Sequence, residues 1–156
     1  MPQCGMRSRF LFLGLVFVLA AIGCKKGSPL VGTWHTQSTV INLPAYVDET
    51  FNSDGTFTSQ TKLARTDGKV SINGTDKGTW TLVKDQLTEK VDDIDWKFSG
   101  VNARGVERAQ KMFDQRKPQI LKLTNEHPTH TLKWEGDDKF TIVTSKGETQ
   151  IYRRTK

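Results

Sequence analysis

The sequence predicts an all-β fold, in which an antiparallel meander of about eight to ten strands closes into a barrel with one inserted amphipathic helix. Three observations predict this fold. Short segments with alternating apolar and polar residues recur along most of the 156-residue chain. Turn-forming pairs such as Asp54-Gly55 separate these segments, and a G-T-W strand opener occurs twice. Residues 103–117 instead place apolar side chains at helical spacing.

The first 23 residues are typical of an export signal. Arg7 and Arg9 precede an uncharged stretch at residues 10–22, and small residues then lead to Cys24. A helix of that length would span roughly 20 Å, less than the roughly 30 Å of the hydrocarbon core of a bilayer. A cleaved signal is therefore favoured over a permanent membrane anchor. Cleavage after Gly23 fits both ordinary signal peptidase and lipoprotein processing.

The fate of Cys24 separates these two routes. Residues 21–24 (A-I-G-C) look like a bacterial lipobox, in which the cysteine thiol receives a diacylglycerol and becomes the new N-terminus. Cys4 leaves with the signal, so Cys24 has no disulfide partner in an oxidising compartment, which favours lipidation. Residues 24–29 would then form a short tether.

We therefore expect a membrane-anchored lipoprotein of the cell envelope, with its domain in the periplasm or at the cell surface. In similar lipoproteins an Asp after the cysteine retains the protein in the inner membrane. Lys25 occupies that position here, which favours the outer membrane.

Composition and charge exclude several classes of function. The formal net charge is +6, and it falls to +4 once residues 1–23 are removed. Basic and acidic residues are interspersed and no basic run exceeds two residues, so nucleic-acid binding is not expected. The sequence contains no G-x-S-x-G elbow and no Gly-rich phosphate loop, so we expect neither enzyme activity nor a cofactor.

Residues 30–156 form the predicted barrel domain. Strands in its first part are expected at residues 32–40, 46–51, 56–63, 69–72, 77–83, 86–91 and 94–98. Asp-Gly or Asn-Gly pairs at 54–55, 67–68 and 73–74 are expected to form turns, because Gly adopts positive φ freely. Ile94, Trp96 and Phe98 alternate with charged residues and are predicted to face the core.

A helix is predicted over residues 103–117, with Phe113 on its apolar face and Lys117-Pro118 ending it. It either completes the core at the open side of the sheet or acts as a lid over one end of the barrel. Strands are expected again at residues 119–124, 131–135, 139–145 and 148–154. The inward-facing apolar set of this second part is predicted to be Leu121, Leu123, Leu132, Trp134, Phe140, Ile142 and Ile151.

Four short motifs within residues 30–154 resemble the lipocalin-like domain of small bacterial lipoproteins. They are G-T-W at 32–34, F-N-S-D-G-T-F at 51–57, G-T-W at 78–80 and I-Y-R-R at 151–154. The resemblance implies a lipocalin-like barrel in which the opening Trp packs under an Arg of the last strand. Here it pairs Trp34 with Arg153 in a stabilising cation–π contact. The resemblance also implies a ligand cavity inside the barrel.

Metal binding is not expected. His127 and His130 are close in sequence, but no Cys or third His lies nearby, whereas structural zinc takes four protein ligands. A polar loop between strands is expected there, and His35 is expected at the surface. An acidic patch lacks the glycine and the ligand spacing of a calcium-binding loop, so a solvated strand edge is favoured. That patch contains Glu89, Asp92, Asp93 and Asp95.

The sequence therefore predicts non-catalytic binding of a small apolar ligand inside the barrel. The side chains expected to contact this ligand are Phe57, Trp80, Trp96, Phe98, Phe113 and Phe140. A barrel of eight strands is just wide enough to be filled by its own side chains or to hold one small ligand. The alternative is thus a filled barrel that binds another protein of the cell envelope, whose identity the sequence leaves open.

Overall fold

The computed structural model describes residues 27–40, 43–64, 69–126, 128–143 and 149–155. Cys24 and the predicted signal lie outside these residues. Within them, eight strands and one helix follow one another along the chain. They are β1 (Gly32–Val40), β2 (Leu43–Phe51), β3 (Thr56–Ala64), β4 (Val70–Val83), β5 (Gln86–Gly100), α1 (Ala103–Thr124), β6 (Thr129–Trp134), β7 (Lys139–Val143) and β8 (Thr149–Arg154).

The strands form a closed antiparallel barrel. Each strand pairs with its neighbour along the chain, and β1 also pairs with β8. The predicted all-β barrel with one inserted helix is confirmed. The turns at 52–55, 84–85 and 135–138 lie at one end, which we call the closed end because the fully buried Leu30 covers it. The opposite end, the mouth, is where β5 leads into α1.

The longest strands, β4 and β5, each join two segments that the sequence predicted as separate strands. The turn predicted at Asn73-Gly74 is wrong, because both residues lie inside β4. The indole of Trp96 packs directly over Gly74, where a Cβ atom would lie 2.7 Å from the indole nitrogen. The glycine at this position therefore serves close packing and not a turn.

A β-bulge at Asp92 joins the two halves of β5. Lys77 pairs with Asp93, whereas the next residue, Gly78, pairs with Val91, so Asp92 has no partner on β4. The extra residue reverses the alternation of β5. As a result, apolar residues on both sides of the bulge face the barrel interior.

The helix α1 begins where the sequence predicted and extends beyond the predicted end. Asn102 caps its N-terminus, with its side-chain oxygen accepting a 3.1 Å hydrogen bond from the amide of Gly105. The end predicted at Lys117 and the strand predicted at 119–124 are wrong, because α1 continues through Pro118 to Thr124.

Contacts of the last two turns explain why α1 continues past its proline. A proline inside a helix removes one backbone donor, a loss of about 3 kcal/mol. Ile120 and Leu121 are half-buried against the barrel, and Asn125, directly after the helix, binds the backbone of β5. Leu123, predicted to face inward, is 57% exposed.

No helix in the described ranges is both long and apolar enough to cross a membrane.

The cation–π contact at the closed end involves Arg154, and the predicted partner Arg153 is wrong. The guanidinium carbon of Arg154 lies 4.2 Å from the centre of the Trp34 ring. The sequence analysis placed Ile151 and Arg153 on the inward face of β8. Tyr152 is the buried residue instead, and Ile151 is 45% exposed, so the alternation of β8 has the opposite phase.

Arg154 also fixes the segment that precedes β1. Its guanidinium donates hydrogen bonds to the backbone oxygens of Pro29 and Val31, the latter at 2.8 Å. The indole nitrogen of Trp34 donates to the Leu30 oxygen at 2.7 Å. Gly32 has φ +134°, and a Cβ atom on it would lie 2.5 Å from Arg154 Nη1. In the G-T-W opener, Gly32 therefore leaves room for the Arg154 guanidinium and Trp34 provides the ring that it contacts.

Replacing Arg154 is expected to destabilise the domain much more than replacing Arg153. Arg154→Ala removes the cation–π contact and the charge-assisted hydrogen bonds, a loss of about 2–4 kcal/mol in the free energy of unfolding. Arg153→Ala changes an exposed side chain on the same strand and should remain within about 0.5 kcal/mol of wild type. Urea denaturation of both variants checks this, and equal losses would contradict the assignment of Arg154.

Candidate functional site

The six aromatic residues predicted to contact a ligand fall into two separate groups. Phe57, Trp80 and Phe140 belong to the apolar core at the closed end. Trp96, Phe98 and Phe113 form a cluster between β5 and α1. The sequence analysis placed all six around one ligand, whereas the structure brings together only three at a time.

The closed end is filled by its own side chains. The rings of Trp34 and Phe140 are 4.6 Å apart in an edge-on arrangement, and Phe140 stacks on Tyr152 at 4.8 Å. Trp80 contacts Phe51 at 5.6 Å, and its indole nitrogen donates a 2.9 Å hydrogen bond to the backbone of β3. Aromatic pairs at these separations add to the stability gained from burial. This half of the barrel is therefore a core.

The second aromatic group attaches α1 to the barrel. Phe113, the one residue of α1 that is fully buried among those described, stacks on Trp96 at 5.9 Å and contacts Phe98 at the same distance. The indole nitrogen of Trp96 donates a 2.9 Å hydrogen bond to Asp76 Oδ1. The ring of Trp96 is thus held from two sides, by the helix and by a carboxylate of β4.

A cavity of about 120 Å³ lies inside the barrel, beside Phe57 of the closed-end core. Polar and ionisable side chains from five strands form much of its wall, apolar side chains form the rest of the strand wall, and the end of α1 and the segment after it complete it. The lining residues are Glu49, Phe57, Ser59, Asp76, Glu89, Val91, Thr124, Pro128 and His130. The volume has room for several water molecules or for one end of a small ligand.

Two carboxyl groups, those of Glu49 and Glu89, define the chemistry of this cavity. Glu49 is only 7% exposed, and burial raises its pKa well above the usual range, with further increases from the charge of Glu89 and a hydrogen bond to it. Burial also raises the pKa of Glu89 to about 7. Two neighbouring carboxyl groups away from water cannot both ionise readily. The pair therefore retains a proton near neutral pH.

Tyr152 and Asp76 adjoin this pair. Burial raises the pKa of the Tyr152 phenol well above its usual range, and the negative charge of Glu49 raises it further. The pKa of Asp76 is raised, because the effect of burial exceeds the opposite effect of the hydrogen bond that it accepts from Trp96. The cavity thus combines proton donors and acceptors on a wall shared with the aromatic core.

His130 faces this cavity from β6 and does not lie in the loop expected from the sequence. Its Nε2 atom is 4.0 Å from Glu89 Oε2, and its buried Nδ1 atom has no hydrogen-bond partner among the described residues. Burial lowers its pKa, which favours the neutral imidazole. His127 lies outside the described residues. Within the described ranges, no three His, Cys, Asp or Glu side chains are grouped so that they could hold a metal ion.

Glu49 is not among the site residues predicted from the sequence, and Glu89 was predicted to lie in a solvated patch. In the structure Glu89 points inward, while Asp92, Asp93 and Asp95 are exposed and pair with lysines. A usable signal was present, because Glu89 lies midway between the inward-facing Leu87 and Val91 of a strand with period two. Glu49 stands two residues before buried Phe51 in the same way.

A larger but open groove lies between the first turns of α1 and the end of β5. It has a volume of about 980 Å³, and its apolar surface comes mainly from Phe98, Ala103 and Val106. Glu107, Lys111 and Asp114 add charged groups. This groove is a second place for an apolar ligand, and it differs from the interior cavity in lacking buried carboxyl groups.

Comparisons with known proteins do not assign a family. A scan against models of protein families and a search of curated proteins both found no match. An NMR structure of a protein from Burkholderia xenovorans aligns with 81% of this chain and 83% of its own, at 11% sequence identity and a TM-score of 0.37. A likeness at this level supports no inference about function.

Stability is expected to fall as the pH rises through the range in which Glu89 ionises. Its pKa is about 7 in the folded state against 4.5 as the ordinary value, so the folded protein binds its proton more tightly than the unfolded chain. The stabilisation is complete below pH 4.5 and is lost by pH 7, a change of about 3 kcal/mol. The raised pKa of Glu49 adds a loss of the same sign as the pH rises.

Urea denaturation between pH 4.5 and pH 8 measures this dependence. Glu89→Gln should flatten the profile, because the amide carries no charge at any pH in this range. Glu107→Gln, at an exposed position of α1, is the matched control and should keep the wild-type profile. A wild-type stability that rises steadily over this interval would contradict the buried carboxyl pair.

Proposed function

We propose that this chain is an exported, lipid-anchored protein that binds one small ligand in the interior cavity without catalysing a reaction. The observation that carries the proposal is the cavity itself, which lies beside the packed aromatic core and has carboxyl groups in its wall. Concave sites with an apolar wall and a few convergent polar groups are typical of small-molecule binding. The aromatic core gives this site a rigid floor.

The lining indicates which chemistry such a ligand would have. Phe57, Val91 and Pro128 offer apolar contact, whereas Glu49 and Glu89 are acceptors when ionised. Among the described residues, the one basic side chain that forms a salt-bridge contact with this pair is His130, which lies beside Glu89. Burial lowers the pKa of His130. The apolar ligand expected from the sequence should therefore carry a hydrogen-bond donor, best an amine, at the end that enters the cavity.

The proposed anchor would orient the barrel on its membrane. Leu30 is fully buried at the closed end, Arg154 donates to the backbone oxygens on either side of it, and Trp34 donates to the Leu30 oxygen itself. A lipid on Cys24 would lie six residues before this fixed point. The closed end would then face the bilayer, and the mouth with the beginning of α1 would face away from it.

Ligand binding is expected to favour amines over acids of the same length. The test uses the mature chain from residue 24 with Cys24→Ser, which contains every strand and α1, and a matched series of alkyl amines and fatty acids. An amine at about 100 times its Kd should raise the free energy of unfolding by about 2.7 kcal/mol. Thermal unfolding measures this gain, and native mass spectra before and after denaturation would show any copurified ligand.

Two variants locate the site. Glu89→Gln should abolish the gain from amines, whereas Val106→Ala, in the open groove, should leave it unchanged. Stabilisation by fatty acids that depends on Val106 would place the ligand in the groove and contradict the proposed site. If no compound stabilises the protein and no bound mass is found, the interior is a closed core, as in the alternative of a module that binds another protein.

Acylation is expected at Cys24 and not at Cys4. When the full chain is expressed in a Gram-negative host with radiolabelled palmitate, the mature protein should incorporate label and sediment with membranes. Cys24→Ser should lose the label and release the protein, whereas Cys4→Ser should behave as wild type, because Cys4 precedes the expected cleavage site. Label retained in Cys24→Ser would contradict lipid attachment at this residue.

A further inference from the structure

β5 has a long edge with which no strand of the described residues pairs. Its pairing with β6 covers only Gln86, Leu87 and Thr88, although β5 continues to Gly100. Backbone groups along the remainder of this edge must find other partners, because an unpaired edge leaves hydrogen bonds unmade or recruits another chain. Along this part of the barrel wall, α1 takes the place of a strand.

Two side-chain amides supply the missing backbone partners. Asn125 accepts a 2.9 Å hydrogen bond from the Val91 amide and donates another of 2.9 Å to the Val91 oxygen. Gln110 accepts from the Phe98 amide at 3.3 Å and donates to the Trp96 oxygen at 3.0 Å. Each amide thus presents one donor and one acceptor to β5, as a neighbouring strand would.

Among the described residues, the other contacts that hold α1 in place are made by side chains. Phe113 is its one buried side chain, Ile120 and Leu121 are half-buried, and Lys117 pairs with the exposed Asp93 at 2.6 Å. The strand walls, by contrast, are held by backbone ladders, such as the one that joins β4 to β5 on both sides of the bulge at Asp92. Releasing α1 would break two amide pairs, the contacts of Phe113 with two aromatic rings, one ion pair and the packing of the half-buried Ile120 and Leu121, without disturbing a ladder.

The end of α1 also forms part of the cavity wall. Thr124 and Pro128 line the cavity, and Asn125 lies between them in sequence. Val91, to which Asn125 binds, is itself a lining residue. The contact between Asn125 and Val91 therefore lies at the seam where the helical wall of the cavity meets its strand wall.

From this arrangement we propose that α1 is a gate, which opens at the β5 seam by releasing Gln110 and Asn125 and so admits the ligand to the interior cavity. The passage of a ligand rests on the proposed function, whereas the opening itself does not. Opening exposes the β5 edge and leaves the remaining strands of the barrel closed. It is a local unfolding of the kind that regions with few buried contacts undergo.

Amide hydrogen exchange of the ligand-free mature chain, followed by NMR, tests the gate. The amides of Val91 and Phe98 bond to α1, whereas those of Asp95 and Lys97 point towards β4 because strand residues alternate in direction. Val91 and Phe98 should exchange at least tenfold faster than Asp95 and Lys97, with little dependence on low urea concentrations. Equal exchange of all four amides through global unfolding would overturn the gate.

Variants sharpen this test. Asn125→Ala should speed exchange at Val91 by at least a further tenfold, and Asn73→Ala, at an exposed asparagine of β4, should not change it. An unchanged rate in Asn125→Ala would overturn the assigned latch. If Asn125→Ala does not fold, the comparison of amides in the wild-type protein decides the question.

Kinetics with a ligand separate the gate from the site. If an alkyl amine binds as proposed, Asn125→Ala should raise its association and dissociation rates by the same factor and leave Kd unchanged. A gate that opens in exchange experiments without any ligand binding would support the gate and reject the proposed function. Binding with rates that Asn125→Ala leaves unchanged would support the function and reject the gate.

Discussion

The edge of β5 that no described strand covers is the constraint on which the rest of this structure depends. The strands close the barrel where β6 pairs with the first three residues of β5, and no described strand pairs with this edge of the half of β5 that approaches the mouth. The helix fills this gap because two amide side chains imitate a strand and Phe113 supplies apolar contact. The insertion is therefore part of the barrel wall, and the cavity exists because that wall is helical at one corner.

The interior divides into two chemically different halves. Towards the closed end, aromatic rings pack against one another beneath the Arg154–Trp34 contact and exclude other molecules. Beyond them, Glu49 and Glu89 lie in a cavity where burial keeps a proton on the pair. A folded domain retains buried carboxyl groups at a cost in stability, so they are functional candidates wherever a cavity adjoins them. The fixed aromatic floor makes the position of these groups well defined.

Fold class and most strands follow from sequence pattern, and the errors have specific physical causes. Asn73-Gly74 has the composition of a turn, yet the glycine serves the close approach of Trp96, a tertiary contact that no local pattern encodes. Pro118 predicts the end of the helix, yet α1 continues past it because Asn125 binds a strand that is distant in sequence, a contact that no local pattern encodes. The prediction of Arg153 instead of Arg154 was wrong because the inward-facing and outward-facing residues of the short strand β8 were interchanged. Glu49 and Glu89 each lie two residues from an inward-facing apolar residue of the same strand, so their inward orientation could be predicted from the sequence. Their proximity to each other could not, because they lie on different strands.

Carboxyl carbon NMR of the mature protein, titrated with and without an alkyl amine, tests the central claim most directly. We predict that the Glu89 carboxyl titrates near pH 7 in the free protein, that the pKa of Glu49 is also raised well above its ordinary value, and that a bound amine lowers the pKa of Glu89 by stabilising its ionised form. If both carboxyls titrate near 4.5, with or without the amine, they face solvent, and the buried cavity proposed as the binding site is wrong.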